Sequence, residues 1–196
     1  MRTFVKKISA QYLLFGLVSC LTLSGCLVKM SECETDTEAG ANGGFEKVKN
    51  MLPLNWMVNT PNTTGEGSFT WCFDSSEVKE GVQSYKCTVL SCSNKGGRFS
   101  PGIAQEFKAK SGDTYRIKCW IKQQNCAYRI NISGVSATES SAGPFLQTEV
   151  ASNDWKEFQY EYTLPSGRNA LRVEFTVLSP GTWWIDGFTI QKINPS

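Results

Sequence analysis

Arg116, Lys118 and Trp120 fall at every second position of residues 115–121, and Arg129 and Asn131 do the same within residues 126–132. Period-two alternation puts such residues on one face of a strand and their apolar neighbours on the other. An indole set among guanidinium, ammonium and amide groups offers a ring that stacks and donors that bond oxygen. A large aromatic on an otherwise charged, wet face calls for a ligand or a cover. Two arginines and a lysine beside it also suit a carboxylate-bearing ligand, which a guanidinium grips in bidentate fashion. Trp184 is a second aromatic of this kind, because Trp183 and Ile185 are expected to point inward.

Catalytic chemistry is harder to find. The chain has no histidine, which removes Ser-His-Asp and Cys-His nucleophiles and the commonest general base. Glu157, Glu161 and Glu174 supply carboxylates of the type a glycoside hydrolase pairs. They stand at ordinary strand-surface spacing opposite Arg172 and lysines, as a solvated face does. A non-catalytic protein is expected.

The first 25 residues set the destination. Arg2, Lys6 and Lys7 precede a short apolar run, and Leu23-Ser24-Gly25-Cys26 closes it. That layout is a cleaved export signal of the lipoprotein kind, with Cys26 lipidated; the run is too short to span a bilayer. By resemblance to other lipoproteins, whose inner-membrane retention signal has an aspartate after the cysteine, Leu27 implies the outer membrane or cell surface, lipid-anchored. Removing residues 1–25 takes three of the 20 basic residues, leaving 17 against 18 acidic ones and a net charge of about −1. The pI of 8.1 therefore belongs to the precursor, and no nucleic-acid partner is expected. Residues 26–42 are small, polar and acidic, the composition of a flexible tether. Of eight cysteines, Cys33, Cys72, Cys87, Cys92, Cys119 and Cys126 lie beyond Cys26, an even set that suggests disulfides in an oxidising compartment. With no CxxC pair and no histidine, zinc is a poor reading of them.

From Phe45 onward the pattern is of short alternating strands. Residues 115–121 and 126–132 are expected to pair as a hairpin around Lys122-Gln123, which sets Cys119 opposite Cys126 for a cross-strand disulfide. Further strands are expected near 68–73, 83–90, 103–110, 157–164, 171–177 and 182–192, with a bulge at Gly187. Eight or more such strands make an all-β domain over residues 43–193: a two-sheet β-sandwich or jelly roll.

Read in order, Asn42-Gly43-Gly44-Phe45-Glu46, Pro53-Leu54-Asn55-Trp56, Lys79-Glu80-Gly81, Ser84-Tyr85-Lys86-Cys87, Gln105-Glu106-Phe107, Gly112-Asp113-Thr114-Tyr115, Trp155 and Trp184-Ile185-Asp186-Gly187-Phe188 form a series that resembles the carbohydrate-binding modules of families four, nine and twenty-two. The resemblance spans the whole domain and departs from the pattern at the extra cysteines and at Gly187, where a second aspartate is usual. It implies a galactose-binding-domain-like jelly roll that holds a polysaccharide in a groove on its concave face without catalysis. It places Gln105 at that groove and Trp155 inside the sandwich. It also implies a structural calcium where the first strand meets the last, with Glu46 and Asp186 at the matching positions. A different outcome stays open: a β-sandwich serving as a structural or protein-binding subunit of an envelope assembly, its exposed aromatics an interface.

Overall fold

The computed structural model describes residues 31–32, 42–60, 64, 67–96, 99–136, 145–148 and 152–193. The signal segment, Cys26, Cys33 and most of the tether lie outside them. The strands are β1 (Ser31–Glu32), β2 (Val48–Lys49), β3 (Leu52–Pro53), β4 (Met57–Asn59), β5 (Gly67–Asp74), β6 (Ser84–Cys92) and β7 (Gly102–Lys108), then β8 (Thr114–Gln124), β9 (Tyr128–Val135), β10 (Phe145–Thr148), β11 (Ser152–Thr163), β12 (Ala170–Val177) and β13 (Gly181–Ile193).

Two sheets face one another. The first runs β1-β7-β12-β9-β10, with β4 also on β7; the second runs β11-β8-β13-β6-β5. Strand β1 lies parallel to β7, pairing Ser31 with Phe107 and Glu32 with Lys108; every other pairing is antiparallel. The segment expected to be a flexible tether thus pairs with the sandwich at residues 31–32. Alternation explains which side chains enter: Tyr115, Ile117, Cys119 and Ile121 of β8 are buried, as are Leu171, Val173, Phe175 and Val177 of β12. Between the sheets Trp56 packs on Phe45 and on Phe188 at 5.1 Å each, and Phe175 meets Phe188 at 6.0 Å and Trp183 at 5.9 Å. Each such ring removed from water contributes on the order of 2 kcal/mol. The bulge at Gly187 is present, with φ of 56° and a register shift between Asp186 and Thr189.

One expected pairing does not form. Residues 122–124 continue β8, so Lys122-Gln123 is strand and not a turn, and the chain then crosses to the other sheet through Asn125, whose φ is 58°. Strand β8 pairs with β11 and β13, whereas β9 pairs with β12 and β10. Cys119 therefore sits opposite Phe158, Cys126 donates its thiol to the Thr182 carbonyl at 3.3 Å, and both cysteines are free, not bridged. Of the five described cysteines only Cys72 is exposed; burial pushes the Cys87 and Cys126 thiols up to about 12. A thiol reagent added to the native chain at neutral pH is expected to modify Cys72 quickly, and Cys87, Cys119 and Cys126 only after denaturation. Rapid modification of Cys126 would mean that the crossover opens readily.

Candidate functional site

The crossover decides how the polar candidates are grouped. Arg116, Lys118 and Trp120 stand on the outer face of the second sheet, while Arg129 and Asn131 stand on the outer face of the first. They lie on opposite sides of the sandwich and cannot line one groove.

On the second sheet the outer face is tied up internally. Arg116 bonds Glu161 at 2.7 Å and Lys118 lies 3.6 Å from Glu157. The ammonium of Lys79, from the loop between β5 and β6, sits 3.9 Å over the Trp120 ring. Trp184 is buried: its Nε1 donates to Asp74 Oδ2 at 3.0 Å, and Lys86 and Lys122 flank the ring at 5.1 and 5.6 Å. Lys122 in turn bonds Glu77 of the same loop at 2.7 Å. Trp184 is thus covered by side chains of β5, β6 and β8, and the half-buried Trp120 carries the loop's Lys79 over its ring.

Two carboxylates hold that loop down. Asp186 is fully buried; its Oδ2 accepts the amides of Lys79 at 2.8 Å and Glu80 at 2.9 Å, and its Oδ1 accepts that of Gly187 at 2.8 Å. Burial raises its pKa, those three amides pull it back, and the charge of Glu80 adds to the rise. Glu46 Oε1 accepts the Val82 amide at 2.7 Å and, at 3.4 Å, that of Gln83. Calcium takes six to eight oxygens. Three of these four carboxylate oxygens are already engaged by N–H groups, and among the described residues no three acidic or cysteine side chains converge on one point. The pair does not fit a calcium cage, and its evident work is to anchor the loop.

The first sheet is different. Its outer face is laid out in rows across the strands. One row is Glu106, Arg172 and Ser133; the next is Met57, Ala104, Glu174 and Asn131; the third is Asn59, Gly102, Thr176 and Arg129. The middle positions Gly102, Ala104 and Thr176 are small. They are also buried, while Glu106, Arg172, Glu174 and Asn131 around them are half-buried. Arg172 bonds Glu106 at 3.1 Å and approaches Glu174 at 3.8 Å. Carboxylate, guanidinium and amide groups half-open to solvent and set side by side on one face can bond paired hydroxyls. Sequence reasoning read Glu174 and Arg172 as a solvated face and gave Glu106 no role of its own; their alternation was visible, but nothing in one strand tells that three strands bring them together.

Gln105, expected at the groove, points the other way. It lies level with Val173 in the register, is fully buried between the sheets, and donates Nε2 to the Asn55 carbonyl at 2.7 Å.

Residues 41–182 match the carbohydrate binding domain family. The chain belongs to that family. Solved structures share the sandwich. A domain described as "CBM4 structure and function" superposes with a TM-score of 0.56 at 17% identity, covering 78% of this chain and 98% of that one. The xylan-binding domain CBM22-1 of Paenibacillus barcinonensis Xyn10C gives 0.55 at 12%, covering 82% and 100%. The tailspike protein 4 domain of bacteriophage CBA120 gives 0.58 at 17%; the match covers 80% of this chain and only 21% of the tailspike. No curated protein matches by sequence. At these identities the structural likeness establishes the fold of this carbohydrate binding domain and nothing finer.

Proposed function

We propose that the chain is a non-catalytic polysaccharide-binding lipoprotein, anchored through Cys26 at the outer membrane or cell surface, and that the glycan lies across the outer face of β7, β12 and β9. The observation that carries this reading is the juxtaposition of the half-buried polar groups of Asn131, Glu174, Arg172 and Glu106 on that one face. The cations of this face are engaged, Arg172 by two glutamates and Arg129 by the Lys95 carbonyl at 3.1 Å. A neutral, hydroxyl-rich chain is therefore preferred over a uronic acid. Structural neighbours are described as a xylan-binding domain and as a complex with β-1,4-galactotriose, so xylan and β-1,4-galactan come first in a screen.

Affinity electrophoresis of the purified chain is expected to show retardation by one neutral polysaccharide. Asn131→Ala and Glu174→Gln should weaken it by about tenfold, the worth of one or two hydrogen bonds, while Trp120→Ala leaves it unchanged. Loss in Trp120→Ala alone would move the ligand to the second sheet. No retardation by any glycan would favour the structural or protein-binding role.

A further inference from the structure

Seven large apolar side chains of the described residues are exposed, and four of them, Val48, Met51, Leu52 and Leu54, belong to one small hairpin, β2–β3, and the residue that follows it. Its tip is Met51, 63% exposed. Asn50 and Met51 both have positive φ, 52° and 62°, the geometry of a two-residue turn that ordinarily carries Asn-Gly. Met51 holds a left-handed conformation that its side chain disfavours, and the result is a thioether presented to solvent. The hairpin is rigid. Asn42 bonds the Lys47 and Leu54 carbonyls at 2.8 and 3.1 Å, and Trp71 Nε1 donates to the Met51 carbonyl at 2.9 Å. Residues 47–60 carry Lys47 and Lys49 and no acidic residue.

Its place in the fold says what it meets. Met57 pairs with Ala104, and Asn55 is bonded by Gln105, so the hairpin emerges at the Lys108 end of β7. That is where β1 lies, with Ser31 beside Phe107. Ser31 follows Cys26 by five residues, a reach of at most about 18 Å. A lipid on Cys26 would hold this edge against the bilayer.

We propose that the β2–β3 hairpin is a membrane contact: Met51, Leu52 and Leu54 enter the headgroup region beside the anchor, and Lys47 and Lys49 face anionic lipid. This rests on the lipoprotein reading. The test is amide exchange of residues 47–54 in the lipidated chain of residues 26–196 reconstituted in phosphatidylethanolamine–phosphatidylglycerol vesicles, against the Cys26→Ser chain of the same length in buffer. Exchange is expected to slow by about tenfold on the vesicles, and Met51→Asp/Leu52→Asp is expected to abolish the slowing with an unchanged melting temperature. Should that variant unfold, Lys47→Glu/Lys49→Glu serves in its place. Equal exchange with and without vesicles overturns the proposal, as does equal slowing by a soluble polysaccharide alone. Mass spectrometry reports the lipid separately. If Cys26 carries none, the anchor reading fails by itself, and the Cys26→Ser chain mixed with the same vesicles decides the hairpin: slowed exchange sustains the contact, unchanged exchange overturns it.

Discussion

Asp74→Ala is expected to lower the unfolding free energy by about 2–3 kcal/mol, the cost of leaving a buried indole N–H and a half-buried ammonium without their charged acceptor. The side chain of Asp74 is 9% exposed and meets Lys86 at 2.9 Å. The same carboxylate accepts Trp184 Nε1 at 3.0 Å, the Ser76 amide at 2.9 Å and the Ser76 hydroxyl at 2.6 Å. Truncation strands an ammonium and an indole N–H on a face that the β5–β6 loop covers. Asp74→Asn keeps an acceptor and should cost less. Denaturant unfolding at neutral pH measures both.

The pH dependence follows from the same contacts. Burial pushes the Asp74 pKa up, but the bonds from Ser76, Trp184 and Lys86 prevail and hold it well below its ordinary 3.8. A depressed carboxylate contributes stability above its unfolded value and loses it as the pH falls through the folded one. The wild-type chain should therefore weaken below about pH 4, and Asp74→Asn should lack that share of the acid limb. Asp186, whose pKa is raised, acts in the opposite sense, since its protonation favours the folded state. Acid limbs of equal slope in wild type and Asp74→Asn would remove Asp74 from this role.

Two adjacent glycines should behave in opposite ways. A Cβ on Gly43 would fall far inside contact distance of the Phe188 carbonyl oxygen and 2.8 Å from its carbon, whereas a Cβ on Gly44 meets nothing nearer than Glu46 Cγ at 3.7 Å. The Phe188 amide donates to the Gly43 carbonyl at 3.0 Å, which seats Phe45 and Trp56 in the core. Gly43→Ala must force the two backbones apart, lose that bond and lift those rings. It is expected to cost about 3 kcal/mol or more, and Gly44→Ala less than about 0.5 kcal/mol. Thermal melting of both variants tests this; equal melting temperatures would show that the N-terminal segment is free to shift.

Much of the fold was legible because burial on one face writes itself into alternation. Strands β5 to β8, β12 and β13 lie within one to three residues of where their apolar positions place them, and the bulge was signalled by Gly187. The misreading came at one junction. Alternation reports which residues share a face and says nothing of which sheet a strand joins, so the run from β8 into β9 looked like a hairpin when Asn125 and the two residues after it carry the chain across the sandwich. The false disulfide and the false five-residue site both descend from that single crossover. Trp184 does point away from the core, as its neighbours imply. Its cover was illegible because Asp74, Lys86 and Lys122 come from three separate strands, and Gln105 was misplaced by analogy where its neighbours Ile103 and Phe107 already marked an inward phase.

The last strand of the chain, β13, is the central strand of its sheet, bonded to β8 on one side and β6 on the other. A chain that appears from its N-terminus onward can lay β5 against β6 and β11 against β8, but these remain two separate ribbons with open edges until residues 181–193 arrive. Assembly of that half is thus all-or-none and waits for residues 181–193. A product that stops before residue 181 would expose two sticky edges at once, and aggregation rather than partial activity is its natural fate.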